Sequence, residues 1–304
     1  MSRNAFLGTT EFAAAVLRKL ADSQHRPVLA VTPPDRPKGR GRKLASPPVA
    51  EAARELEIDL VQTADVNDAE ALERVRAADT ELVTLCAFGQ LIGDPLLSEL
   101  PLLNVHPSLL PRWRGAAPIE RAIMARDAAT GVSVMKVTAE LDSGPVALQE
   151  RTPIGADEDY GSLSARLAER GGELLVRALD LRDAGKLELQ EQDDANAIYA
   201  DKIGPDERRL DAGRAAAELA ATVRALTPHI GAYLELDGGE RLGVRSARVE
   251  DGELEPRRLE GADGELRLGC GEGVLRLLAV LPPGGRPMAA EDFLRGHEVP
   301  ARVL

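Results

Sequence analysis

Cysteine is scarce in this chain: Cys86 and Cys270 are the two present, with no metal-ligand spacing around either. That pattern argues against a disulfide scaffold and against a zinc site. Aromatic residues make up only 3% of the sequence, so the many Ala, Leu and Val residues must fill the core. No apolar run is long enough to span a membrane, and the opening Met-Ser-Arg-Asn-Ala-Phe-Leu-Gly lacks the pattern of a signal peptide. A cytoplasmic protein without a membrane partner is expected. Gly8-Thr9-Thr10 lacks the three-glycine spacing of a dinucleotide fingerprint, and no Gly-Lys-Ser or Gly-Lys-Thr phosphate loop occurs, which argues against a nicotinamide- or ATP-dependent enzyme. Positive charge is also in deficit, 38 Lys and Arg against 50 Asp and Glu for a net charge of −12. Taken as an average, that balance speaks against a nucleic-acid partner, because attraction to phosphate needs cations.

The charge is uneven, however. Between Pro33 and Lys43, Arg36, Lys38, Arg40, Arg42 and Lys43 face the single acid Asp35, five minus one or +4. So much Pro and Gly excludes a helix or a central strand there and predicts an exposed, mobile loop studded with cations. An isolated charge run is also what any solvated loop shows. Arg112 and Arg114 are candidates to extend the same basic surface. From Glu207 to Leu304 the count is fourteen Arg, no Lys and seventeen acids, a net of −3. Contact with a polyanion in that region therefore needs a local patch, with Arg241, Arg245 and Arg248 as candidates.

At 304 residues the chain exceeds the size at which one core usually stays compact, so two domains are the default. Its first part alternates strand and helix. Strands are predicted at Ala5–Gly8, Val28–Thr32, Asp59–Gln62, Leu82–Ala87 and Leu102–His106. Helices are predicted at Glu11–Leu20, capped by Thr9 or Thr10, and at Pro48–Leu56, Asn67–Arg76 and Pro118–Arg126. Val132–Val137 and Val146–Arg151 read as an antiparallel pair on the sheet edge, and Ser162–Asp183 as a long amphipathic helix. Gln190–Asp206 is polar and irregular. A helix over Ala212–Ala225 then precedes short strands separated by Gly-rich turns, at Ala232–Leu236, Arg241–Val249, Leu266–Gly269 and Gly273–Leu281. The expected fold is α/β with a mostly parallel sheet, followed by a small β-barrel.

Residues 104 to 118 read Asn-Val-His-Pro-Ser-Leu-Leu-Pro-Arg-Trp-Arg-Gly-Ala-Ala-Pro. On a strand, Asn104 and His106 point to one face, and the Pro-rich run ends the strand immediately. Strand ends are where open α/β sheets bind ligands, and an amide beside an imidazole suits the polarisation of a carbonyl. The same spacing also suits a buried pair that satisfies loop backbone. Asp142, in Leu-Asp-Ser-Gly, equally has the chemistry of an ordinary turn. His25, His229 and His297 have no acidic or metal-like sequence context and read as surface or structural residues.

These segments together resemble the methionyl-tRNA formyltransferases, within the folate-dependent formyltransferase superfamily. The resemblance is carried by Leu7-Gly8-Thr9 with Glu11-Phe12-Ala13-Ala14, by Pro34-Asp35-Arg36-Pro37 through Gly39-Arg40-Gly41 to Pro47, and by Asn104 to Pro118. It continues with Thr130-Gly131-Val132, Leu141-Asp142-Ser143-Gly144, Tyr199-Ala200 and Lys202-Ile203, and so spans nearly the whole chain. Asn104, His106, Ser108 to Pro111 and Asp142 mark the superfamily; the basic loop and Arg112 to Pro118 point to the tRNA-dependent member. Thr10 and Gly93 stand where the family usually has Pro, and Thr227-Pro228-His229 resembles its barrel entry only loosely.

The resemblance implies a Rossmann-like formyltransferase catalytic domain over 1–188, a linker over 189–206 and an OB-like, tRNA-binding β-barrel over 207–304. It implies transfer of a formyl group from the co-substrate 10-formyltetrahydrofolate to the amino group of methionine on initiator methionyl-tRNA, without a metal and by a monomer. Asn104, His106 and Asp142 are the implied catalytic residues. Phe88, Gln90, Leu91, Ile92, Ser108, Leu109, Leu110 and Pro111 are implied to line the folate pocket, with backbone groups supplying most hydrogen bonds. Arg36, Lys38, Arg40, Arg42 and Lys43 are implied to meet tRNA, Arg40 foremost. The alternative acceptor is a sugar amine or a purine precursor, for which the basic loop has no use.

Overall fold

The computed structural model describes residues 2–38 and 43–304. Runs such as Ala-Phe-Leu and Leu-Val-Thr-Leu-Cys are apolar on both faces, as strands covered by helices on either side must be. In chain order the first elements are β1 (Asn4–Gly8), α1 (Glu11–Ala21), β2 (Leu29–Thr32), β3 (Arg36–Lys38), β4 (Lys43–Ala45), α2 (Pro48–Glu55) and β5 (Asp59–Gln62). They are followed by α3 (Ala69–Ala77), β6 (Leu82–Cys86), α4 (Leu96–Glu99), β7 (Leu102–His106), β8 (Arg112–Gly115), α5 (Pro118–Met124), β9 (Ala129–Lys136), β10 (Val146–Pro153) and α6 (Tyr160–Asp183).

Seven of these strands form one sheet in the order β10-β9-β7-β6-β1-β2-β5. From β5 to β7 every pairing is parallel. β9 then runs antiparallel to β7, placing His106 opposite Ser133 and Asn104 opposite Met135. Hydrogen bonds from Lys136 to Pro145 and from Ile154 to Ala128 join β9 and β10 as a hairpin at the edge. Thr10 accepts from the Ala13 amide and caps α1. Thr9 instead donates its hydroxyl to the Phe88 carbonyl, 2.6 Å away. α6 crosses β7 closely: a Cβ at Gly171 would lie 2.8 Å from Val105 Cγ1, so a larger residue there pushes the helix off the strand.

The basic loop departs from expectation in one respect. Its two arms pair as an antiparallel ribbon, Arg36 with Ala45 and Lys38 with Lys43, apart from the central sheet. A Pro-containing ribbon is tolerated because it belongs to no buried sheet. Arg40 and Arg42 lie outside the described residues.

The remaining elements are β11 (Ile198–Ala200), α7 (Ala216–Leu226), β12 (Ala232–Glu235), β13 (Arg241–Glu250), β14 (Leu259–Ala262), β15 (Glu265–Gly269), β16 (Val274–Leu281), β17 (Met288–Ala289) and α8 (Ala290–Gly296). β12 to β17 form an antiparallel sheet in the order β12-β13-β16-β15-β14, with β17 on β16. The C-terminal residues bridge its two edges, Val303 to Leu236 and Arg302 to Arg258, which leaves neither edge strand fully open. Its core includes Leu219, Leu234, Leu242, Val244, Leu266, Leu277 and Phe293. β11 has a different partner, β8, the strand that follows His106.

By contacts the chain divides into two compact units. One comprises 1–115, 130–152 and 164–199; the other comprises 116–129, 153–163 and 200–304. The second unit thus includes α5 and residues 153–163, which run into the start of α6, as well as 200–304. Among the described residues no helix is long and apolar enough to cross a membrane.

Candidate active site

β7 is parallel to one neighbour and antiparallel to the other, so its C-terminal end lies where the sheet changes direction. Asn104 and His106 sit there two residues apart, on one face of the strand. Asp142 arrives from the turn between β9 and β10. Asn104 Nδ2 lies 3.5 Å from Asp142 Oδ1, and His106 Nδ1 lies 3.5 Å from Asp142 Oδ2. The imidazole is only 5% exposed and the carboxylate 14%. The three residues named from the sequence therefore form one cluster, an acceptor facing two potential donors.

The rest of the site fixes their orientation. His106 Nε2 is 2.8 Å from the Trp113 carbonyl, an acceptor only, so Nε2 carries a proton. That leaves Nδ1 as the nitrogen turned toward Asp142. A doubly protonated ring satisfies both acceptors, whereas the neutral ring sets a lone pair against the carboxylate. Asp142 Oδ2 is held by the Gly115 amide at 2.9 Å. Trp113, Gly115 and Asp142 have φ of 65, 116 and 48°. Left-handed backbone is uncommon outside Gly, and it recurs here within one small site, where stored strain is typical of functional geometry.

The loop after His106 is pinned through Ser133 and Gln149. Ser133 Oγ donates to the Ser108 carbonyl at 2.6 Å and accepts from the Leu110 amide at 3.2 Å. Gln149 donates to the Leu110 carbonyl at 2.7 Å, while Ser108 Oγ donates to the Arg112 carbonyl at 2.6 Å. Neither Ser133 nor Gln149 carries a sequence signal that distinguishes it from any other polar strand residue.

The expected folate residues share the C-terminal edge of β6 and β7 but differ in what they present. Phe88 and Ile92 are buried in the sheet core with Leu7 and Val66, and Leu110 is buried as well. Gln90 is engaged in binding the Val66 amide and the Thr63 carbonyl, at 2.7 and 3.0 Å. Leu109 and Pro111 are half-buried. Leu91 is 82% exposed and Leu141, beside Asp142, 64%.

Arg36 and Lys43 are exposed on the ribbon, and Lys38 ends β3. The ribbon follows β2, on the same edge of the sheet as His106 and three strands away, about 14 Å at ordinary strand spacing. The expectation that Arg114 extends this basic surface is corrected by its burial. Its side chain is 3% exposed and paired with Asp194 at 2.7 Å, because β11 and the segment before it cover β8. Arg112 instead lies over the Trp113 ring at 4.5 Å.

Two histidines that lack acidic context in sequence acquire it in space: His25 with Asp180 at 2.8 Å, and His229 with Glu120 at 2.9 Å. Among the described residues no three His, Cys, Asp or Glu side chains group so as to hold a metal ion. The three candidates Arg241, Arg245 and Arg248 have different surroundings. Arg241 stacks on Tyr233, Arg245 packs on Gly231 and Arg248 is exposed.

Comparison with known proteins gives the family of the chain. A family model described as formyl transferase matches residues 2–179, and one described as formyl transferase, C-terminal domain, matches 202–298. A methionyl-tRNA formyltransferase of Ectopseudomonas mendocina is 43% identical over 294 residues, 96% of this chain and 93% of the relative. That of Methylococcus capsulatus is 40% identical over 306 residues, 99% of each. The chain belongs to the methionyl-tRNA formyltransferase family. The solved structure of HypX from Aquifex aeolicus in complex with tetrahydrofolic acid shares the fold, with a TM-score of 0.65 at 16% identity; all of this chain covers 51% of HypX.

Proposed function

We infer that this formyltransferase moves a formyl group from 10-formyltetrahydrofolate to the α-amino group of methionine on initiator methionyl-tRNA. The observation that carries the chemistry is the convergence of Asn104, His106 and Asp142 at the end of β7, with His106 Nε2 bound to a backbone carbonyl and both Nδ1 and the Asn104 amide beside the Asp142 carboxylate. The acceptor is inferred from the methionyl-tRNA formyltransferases that match nearly the whole chain.

In the proposed reaction the amine attacks the formyl carbon, and negative charge grows on the formyl oxygen. Asn104 Nδ2 and the His106 Nδ1 proton meet that charge; one such donor is typically worth about 10²–10³ in rate. Asp142 takes the proton the amine must lose. The tetrahedral intermediate then collapses, the bond from carbon to the folate nitrogen breaks, and a proton returned through His106 leaves tetrahydrofolate and the formylated amine.

The folate lies along the C-terminal edge of β6 and β7, against backbone of residues 88–92 and 108–111. Arg36, Lys38, Arg40, Arg42 and Lys43 meet the tRNA backbone. Residues 1–188 supply the chemistry, 189–206 link, and 207–304 hold tRNA. The protein works as a cytoplasmic monomer.

The test is incubation with 10-formyltetrahydrofolate and methionyl initiator tRNA, followed by chromatography of the released amino acid. Formylmethionine is expected. A folded chain that yields none, or that formylates a sugar amine instead, refutes this reading.

A further inference from the structure

The polar segment after α6 has so far only a linking role, yet it closes over the candidate site. Gln190 forms a bridge to Val146, with both backbone hydrogen bonds at 2.8 Å. Ile198 to Ala200 then pair with β8. Between these two anchors lies Gln192. Its Nε2 donates to the Asp142 carbonyl at 2.9 Å and the Gly144 carbonyl at 2.6 Å, and its Oε1 accepts from Arg114 Nε at 3.0 Å. One amide therefore uses both of its donors and its acceptor on the two segments that build the site.

The consequence follows from where those segments lead. Arg114 sits between Trp113, whose carbonyl holds His106 Nε2, and Gly115, whose amide holds the Asp142 carboxylate. Its guanidinium is itself anchored to Asp194 at 2.7 Å. The turn at 142–144 also packs tightly on β9, since a Cβ on Gly144 would lie 2.0 Å from the Lys136 carbonyl. Asp142 is held in left-handed backbone at φ 48°, a conformation that persists only when its surroundings impose it. Beside the Asp142 carboxylate's own bond to the Gly115 amide, the Gln192 side chain gives a second hydrogen-bonded link between the Asp142 turn and the strand anchoring His106.

We propose that Gln192 is a positioning residue for formyl transfer, setting the placement of Asp142 against His106 through its two donated hydrogen bonds and its link to Arg114. This rests on the reading of Asp142 and His106 given above. A site of this kind needs its groups within about 0.5 Å of the productive geometry, and a 1 Å misplacement can cost about 10²-fold in rate.

The discriminating substitution is Gln192→Glu. Glutamate has the same size and still accepts from Arg114, but it has no N–H and sets a carboxylate against two carbonyl oxygens. Gln192→Met removes the donors without adding charge and guards against a misfolded Glu variant. In both, kcat is expected to fall about 10- to 100-fold while KM for folate and for tRNA holds within about threefold. The thermal midpoint is expected to move by less than about 4 °C.

A second readout does not need turnover. The ring ¹⁵N resonances of His106 are expected to shift in both variants, Nδ1 most, because the carboxylate it faces has moved. Unmoved His106 nitrogens, a kcat within about twofold of the parent, or a KM that rises as far as kcat falls, overturns the proposal. A parent chain that forms no formylmethionyl-tRNA defeats the functional reading alone, and positioning by Gln192 then stands or falls on the nitrogen shifts.

Discussion

His106 illustrates how little of a residue's role lies in its own chemistry. Its Nε2 is committed to the Trp113 carbonyl at 2.8 Å, so the catalytic work proposed for it falls to Nδ1. Two substitutions test this division. His106→Ala should abolish turnover almost completely in a folded protein, because both the donor and the partner of Asp142 disappear. Asn104→Ala should lower kcat by about 10²–10³ with KM little changed, the signature of a donor that acts on charge formed in the transition state. Steady-state kinetics of the two variants beside the parent measures both. Substantial residual activity in His106→Ala removes it from the mechanism.

The element that carries Asp142 is a turn squeezed between two others. Gly144 has its Cα so near the Lys136 carbonyl that an added methyl group would stand 2.0 Å from the oxygen, and backbone cannot yield as a flexible side chain can. Gly144→Ala is expected to destabilise the protein by about 1–3 kcal/mol and to lower kcat as well, since the turn must shift to accept the methyl. Chemical denaturation together with kinetics checks both halves. Full activity in a destabilised variant would detach the turn's geometry from the chemistry. The ribbon β3–β4 works on the opposite principle. It is tied to the sheet at its base, where Gln62 donates to Asp35 at 2.7 Å and holds that carboxyl below its ordinary range. Of the ribbon's cations, Arg36 and Lys43 are exposed. Arg40→Ala is expected to weaken tRNA use, to flatten the dependence of log affinity on log salt by about one unit, and to leave folate binding unchanged. Equal loss of both substrates would make the ribbon structural.

Across the whole molecule, acidity is the dominant feature, with a net charge of −12. Much of it is engaged in pairs that matter only when ionised. Asp180 accepts from His25 at 2.8 Å and from Gln24 at 2.6 Å, and hydrogen bonding to His25, then Gln24, lowers its pKa from the usual 3.8. The folded carboxyl binds its proton more weakly than the unfolded one. The stability it adds is therefore complete above the ordinary value and lost as pH falls through the lower, folded one. Thermal midpoints across the acid range should show this loss, and Asp180→Asn should make the acid limb shallower. An identical acid limb in the variant would remove the pair from the account. The same net charge confines polyanion contact to local patches, of which the ribbon with Arg36 and Lys43 exposed is the clearest.

The primary sequence by itself placed Asn104 and His106 together, since period two on a strand is a property of two neighbours. Several short elements escaped it, among them α4, the ribbon strands β3 and β4, and β14, β17 and α8; β8 and β11, of three or four residues, exist because each is there for the other to pair with. Asp142 was legible only through resemblance, as Leu-Asp-Ser-Gly has the look of any turn. Arg114 has the sequence context of a surface residue yet is buried, and Gln192 carries no signal at all. Their hydrogen bond spans 78 positions of sequence. Which nitrogen of His106 faces Asp142, and which amide holds that turn, are decided by contacts between distant segments. Those contacts exist only once the chain has folded, because no local propensity encodes a hydrogen bond to a partner that the backbone has yet to bring near.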